Sequence, residues 1–142
     1  MTVSDGIMSE TSVTVFASVT VFVCVTCGTQ PDGGLTLGRR LYDAVTAQTD
    51  AESAGVITVT PIECLAVCKR PCTIAMSGSG KWTCVVGDLD PEQHAGDVIA
   101  GARSYVAAKN GIIPWRQRPL SFRQGVVARI PPLGFRPAVG EV

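Results

Sequence analysis

The sequence predicts one α/β domain with a small mixed sheet, two main helices and a basic C-terminal arm. Three observations lead there. Hydrophobic residues make up 46% and charged residues 17% of 142 positions, enough apolar surface for a core that does not depend on disulfides. Short β-branched runs recur along the chain and are separated by segments of helical periodicity. Their order is strand, helix, strand, then a hairpin and a closing helix, which is an α/β arrangement.

The elements follow in sequence. The run from Val13 through Val25 is β-branched and interrupted by Ser and Thr, so it reads as strand, strongest from Val19 and ending at Cys24-Val25-Thr26-Cys27-Gly28. Residues 1–18 are expected to form a loose leader, with Met8 an alternative start. After a polar, Gly-rich loop, Leu37, Leu41, Ala44 and Val45 fall at helical spacing and predict a helix to about Gln48, with Arg39, Arg40 and Asp43 outward. Val56–Thr60 reads as a second strand, Thr73–Met76 as a third and Trp82–Val86 as a fourth. Gly78-Ser79-Gly80-Lys81 has the composition of a hairpin turn. Asp90 as N-cap, Pro91 at N1 and Gln93 at N3 predict a second helix, with Asn110-Gly111 as its stop near Lys109. This order is that of a thioredoxin-like fold. The domain is expected over residues 19–111, with residues 112–142 as an Arg/Pro-rich extension.

Charge narrows the function classes. Net charge is zero, which gives no bulk attraction to nucleic acid or to an anionic membrane. Residues 1–110 carry seven Lys/Arg against eleven Asp/Glu, and residues 111–142 carry five Arg against one acid, Glu141. No apolar stretch is long enough to span a membrane. No Lys or Arg precedes Arg39, so a positively charged secretory leader is not expected. Six cysteines without an export signal are expected to sit in a reducing cytoplasm, where clustered thiols mean metal or redox chemistry more often than disulfides.

The cysteines form two groups. Cys24 and Cys27 make C-x-x-C at the end of a strand. Cys64, Cys68 and Cys72 make C-x3-C-x3-C on the connection after the next strand. If those strands are parallel neighbours, both groups reach one sheet edge despite the 36 residues between Cys27 and Cys64. Four thiolates suit zinc or an iron–sulfur cluster. The expected ligands are Cys24, Cys27, Cys64 and Cys68, with Cys72 as alternate. One helical turn would put Cys64 and Cys68 on one face. Cys84 lies within a strand pattern and reads as a small buried hydrophobe. Thiol–disulfide chemistry is the rival, because C-x-x-C after a strand and Pro71 before the third strand match a thioredoxin layout. Against it, the loop from Thr29 to Gly34 separates Cys27 from the helix whose N-terminus would acidify a redox thiol.

Two resemblances rest on these residues. Glu63-Cys64-Leu65-Ala66-Val67-Cys68, followed by Pro71 and a strand, resembles the C-L-x-x-C segment of thioredoxin-like [2Fe–2S] ferredoxins. That resemblance implies the ferredoxin variant of the fold, electron transfer as the function and no enzymatic reaction. Cys24 matches the first ligand position, and Cys64 and Cys68 the last pair. Cys27 departs from the family, which spaces its first two ligands more widely. A second resemblance runs from Val21 to Leu133. Cys24–Cys27, Cys64–Thr73, Gly80-Lys81-Trp82, Gly87-Asp88-Leu89-Asp90-Pro91, Pro114-Trp115-Arg116 and Ala128–Pro132 are similar to an uncharacterised bacterial family of predicted metal-binding proteins. Some of its members resemble proteins encoded beside cobalamin-biosynthesis genes, which implies zinc or another divalent metal, Zn2+ delivery being the alternative function. An aromatic would be more typical of that family at Cys84.

The remaining candidates are weaker. His94 is the sole histidine and is expected at the solvated surface. Asp90 is explained as a cap, which leaves Asp88 without a catalytic partner. No Ser-His-Asp, P-loop or G-x-G-x-x-G pattern is present. Lys69 and Arg70 would offset the negative charge of a thiolate centre, or are simply solvated. The C-terminal segment, rich in Arg and Pro, is not expected to form a helix or strand easily. It reads either as a tail wrapped on the domain by Trp115, Phe122 and Ile130 or as an arm. In the second case Arg116, Arg118, Arg123 and Arg129 would dock an acidic redox or metal-accepting protein. Neither nucleic acid nor membrane is an expected partner, and a homodimer is a further expected state.

Overall fold

The computed structural model describes residues 18–30, 33–49 and 55–137; apart from Ser18, the expected leader lies outside them. Strand β1 (Val19–Cys24) lies inside the sheet, with a neighbour on each side. Val19, Val21 and Val23 are buried against the helices, while Thr20 and Phe22 are half-buried on the other face. Helix α1 (Leu37–Gln48) follows. Its N-cap is Thr36, whose hydroxyl accepts from Arg39 N–H at 3.0 Å, a standard way to satisfy a first-turn donor. Leu41 and Val45 are fully buried, and Leu37 and Ala44 pack beside the core, as the stripe predicts.

Strand β2 (Ile57–Ile62) runs parallel to β1, with Cys24 opposite Ile62. It continues two residues beyond the expected end and includes Pro61, which is tolerated because β2 is an edge strand. Strands β3 (Ile74–Ser77) and β4 (Thr83–Val86) form the expected hairpin. The sheet order is β2-β1-β3-β4-β5, with β1/β2 parallel and every other pair antiparallel.

Helix α2 (Ala95–Ala107) starts later than expected. The Asp90 carboxylate does accept from Glu92 N–H and Gln93 N–H, at 2.7 and 3.1 Å. It caps a separate turn over residues 91–94, and the helix begins after His94. His94 is not solvated as expected: it is half-buried, and its Nδ1 accepts from Asp90 N–H at 2.8 Å. At the far end, Lys81 Nζ donates to the carbonyls of Tyr105 and Val106, satisfying last-turn acceptors.

The C-terminal segment corrects the sequence expectation most clearly. After a 3-10 turn at Trp115–Gln117 it forms helix α3 (Leu120–Gln124) and strand β5 (Val126–Ile130), which pairs with β4 around a bulge at Val85/Val86. Phe122 is 1% exposed and packs on Gly101 of α2, where an added Cβ would lie 2.3 Å from the ring. Of the three anchors expected of a wrapped tail, only Phe122 is buried; Trp115 and Ile130 are more than half exposed.

Candidate functional site: a cysteine-bearing sheet edge

Two connections leave the same end of the sheet, one after β1 and one after β2. Because these strands are parallel and adjacent, both cysteine groups are carried to that end. The β1 connection turns through Cys24–Gly28, and three contacts hold it against α1. Leu37 N–H donates to Gly28 O at 2.9 Å, Gly38 N–H donates to Cys27 O at 3.0 Å, and the Thr36 hydroxyl donates to Val25 O. The Gly-rich loop therefore does not hold the helix away from Cys27; it returns the helix N-terminus to the cysteine turn. The N–H groups of Leu37 and Gly38 are spent on backbone carbonyls and that of Arg39 on the Thr36 hydroxyl, rather than on sulfur.

Gly38 is the residue that makes this approach possible. A Cβ there would lie 1.9 Å from Cys24 O. Glycine inside a helix costs about 1 kcal/mol relative to alanine, and here it lets one backbone meet another.

Cys24 and Cys27 are buried, with sulfurs 2.8 Å apart. Burial pushes the Cys24 thiol up, but hydrogen bonds from Cys27, from Leu65 N–H and from Thr26 outweigh it and leave it below the ordinary thiol value. Cys27 is pushed up to about 12 by burial, by its bond to Cys24, and by the charges of Cys24, Cys68 and Cys64. Of the pair, Cys24 is therefore the more acidic thiol.

The β2 connection is exposed at Cys64 and Cys68. It is irregular loop rather than the expected helical turn: Ala66 has φ +61°, and its N–H donates to Cys64 Sγ at 3.1 Å. The Thr26 hydroxyl donates to Glu63 O and ties the two connections together. Cys24 Sγ lies 3.7 Å from that same carbonyl. Thr26, Thr36 and Gly38 were not singled out from the sequence; glycine in a helix beside a C-x-x-C was the available signal.

Cys72 lies behind this edge. It is fully buried and exchanges backbone hydrogen bonds with Leu89. Its thiol is pushed up to about 11 by burial and by the charges of Asp90 and Cys24, against a lowering effect of Arg40. Its neighbour Arg70 is not a solvated charge. Its Nε and a terminal nitrogen each lie 2.8 Å from the Asp88 carboxylate, while its carbonyl accepts from Asp88 N–H and from the Thr73 hydroxyl. Cys84 is remote in β4, buried, and pushed up by that burial. Among the described residues, no three His, Cys, Asp or Glu side chains converge closely enough to ligate one ion. No helix among them is long and apolar enough to cross a membrane.

The chain is a mixed α/β protein with the thioredoxin-like ferredoxin fold and thiols gathered at one end of its sheet. It aligns with the thioredoxin-like [2Fe-2S] ferredoxin from Aquifex aeolicus at a TM-score of 0.53 and 20% identity, over 84% of this chain and 98% of that one. A cysteine-to-serine variant of the same ferredoxin aligns at 0.50 and 19% identity, over 78% and 98%. At such identity the likeness concerns the fold. Residues 21–132 match the family described as protein of unknown function DUF1636, and the chain belongs to that family. No curated protein matches the sequence.

Proposed function

We propose that this protein is a [2Fe–2S] electron carrier, with Cys24, Cys27, Cys64 and Cys68 as ligands. The observation that supports this best is the arrival of two separate thiol groups at one end of a β1/β2 parallel pair. A cluster with two irons distributes four thiolates over two metal positions, and so suits two groups on two connections. Zinc sites also draw pairs of thiolates from two connections, so the choice of a two-iron centre leans on the fold. The fold shared with a [2Fe–2S] ferredoxin agrees with this assignment.

The residues around the sulfurs fit a thiolate centre. N–H groups of Leu65 and Ala66 are directed at Cys24 and Cys64, and hydrogen bonds to sulfur raise a cluster's potential. When bound, the cluster would supply one-electron chemistry. The chain would hold it between a buried pair, Cys24 and Cys27, and an exposed pair, Cys64 and Cys68, and the exposed side would face a redox partner. Cys72 is the alternate ligand. The test is iron and acid-labile sulfide content of anaerobically purified protein. Substitution of Cys64 or Cys68 by Ser should abolish both, and equal content in wild type and variants would sink the assignment.

A second reading, thiol–disulfide oxidoreductase, has one observation in its favour, the contact of Cys24 with Cys27. A redox pair must cycle free of metal, whereas bound thiolates resist alkylation until the metal is stripped. Rapid labelling of Cys24 and Cys27 in protein that still holds its metal would select the second reading.

A further inference from the structure

The charges of the molecule are settled unequally. Four acids between residues 43 and 97 have internal partners. Asp43 pairs with Arg39, Glu92 with Arg40 and Asp88 with Arg70, while Asp97 accepts from the Ser121 hydroxyl. From Val98 to Pro137 the chain carries seven Lys/Arg and no acid. Among the described residues, none of the three ion pairs involves Arg116, Arg118, Arg123 or Arg129.

Three of these arginines are held by rings and carbonyls instead. Arg118 and Arg123 both lie on the Trp115 ring, 5.6 and 5.8 Å from its centroid. Arg118 Nε donates to Ile113 O, and Arg123 donates to the carbonyls of Trp115 and Arg116. Arg129 lies over Trp82 at 5.7 Å. The guanidinium groups are thus fixed in place without a carboxylate partner among the described residues, while Trp115 stays 58% and Leu120 65% exposed. Arg and Trp are the side chains that dominate binding energy at protein interfaces, and ordering them in advance lowers the entropy cost of association.

We infer that the 3-10 turn, α3 and β5 form a docking surface for a protein with an acidic face, which supplies the carboxylates that Arg116, Arg118, Arg123 and Arg129 lack and an apolar spot for Trp115. The surface is built on an ordered part of the sheet rather than on a loose arm. The inference stands on charge and packing and does not rest on the identity of the metal.

The test uses the full chain and a short synthetic peptide of alternating acidic and leucine residues. Binding is read by tryptophan emission and by peptide anisotropy, at low and at physiological salt. The peptide should bind, its affinity should fall with salt, and the emission change should shrink in Trp115→Phe, which leaves only Trp82 to report. The double variant Arg116→Glu/Arg129→Glu should bind about tenfold more weakly while keeping the far-UV spectrum of the folded protein, and Lys at both positions should restore binding. If the double variant fails to fold, Arg116→Glu alone, at an exposed position, carries the comparison. No peptide binding, or binding indifferent to charge reversal, overturns the proposal. So does tighter binding of an oligothymidylate at the same salt, which would make this a nucleic-acid surface. A dimer that sedimentation shows to be broken by the same reversals would assign the surface to a second copy and overturn it equally.

Discussion

Replacing Gly38 by alanine should destabilise the protein, although helix propensity argues the reverse. Ala is favoured over Gly within a helix by about 1 kcal/mol, so a surface helix position would be stabilised. At Gly38 the new Cβ would sit 1.9 Å from Cys24 O, 3.1 Å from Cys24 C and 3.3 Å from Val25 Cα. All three are backbone atoms that cannot rotate away. The helix must retreat, which costs about 1–3 kcal/mol as overpacking. It also strains or breaks the bonds from Leu37 N–H to Gly28 O and from Gly38 N–H to Cys27 O, each worth about 1 kcal/mol net. After the propensity gain, the net loss is about 2–4 kcal/mol. With a urea m-value of about 2 kcal/mol/M, the midpoint should fall by roughly 1–2 M. Urea unfolding followed by far-UV circular dichroism measures this directly. A Gly38→Ala midpoint equal to or above wild type would refute the claim that α1 is docked on the cysteine turn.

Three other expectations follow from the same packing. Phe122→Ala should cost about 3–5 kcal/mol, the usual loss for a buried ring; a change below about 1 kcal/mol in chemical unfolding would return α3 to the status of a loose extension. Cys84→Ser should leave metal content at wild-type level while lowering the unfolding midpoint, because Cys84 is a buried core thiol away from the cysteine edge; metal analysis showing depletion would contradict that. Tyr105 is fully buried and donates to Trp82 O, and burial together with the charge of Cys84 raises its phenol to about 12. A raised folded-state value means a contribution that is complete below the unfolded value near 10 and is lost as pH climbs from about 10 to 12. Wild-type stability should therefore fall more steeply than that of Tyr105→Phe across this window, and parallel pH profiles would refute the assignment.

Much of this architecture was legible in the sequence because local pattern and tertiary role agree. Val19, Val21 and Val23 alternate and are buried on one face, and Leu41 and Val45 keep helical spacing and are buried too. The arrival of both connections at one end of the sheet followed from one assumption, a parallel β1/β2 pair. Where reading failed, the local signal was weak or belonged to another element. Helix α3 has five residues and β5 carries an exposed Arg129 and Ile130, so neither is long or amphipathic enough to stand out. The β-branched run Val126-Val127 and the Gly125 stop were the available cues. Asp90 and Pro91 do start a turn, but α2 waits for Ala95. The spacing between Cys64 and Cys68 suits a helix, yet an Ala66 with positive φ makes it a loop. The return of α1 to the cysteine turn could not be read from sequence distance at all, since it depends on the absence of a side chain at Gly38.

The central claim, that the two connections hold a two-iron cluster, is tested most directly by optical and electron paramagnetic resonance spectra of the full chain purified without oxygen. The account predicts a brown protein with visible sulfur-to-iron charge-transfer bands. About two irons and two sulfides should be present per chain, as the cluster's composition requires. One-electron reduction should yield a paramagnetic species that is absent from Cys64→Ser and Cys68→Ser. A colourless protein carrying stoichiometric zinc would contradict it.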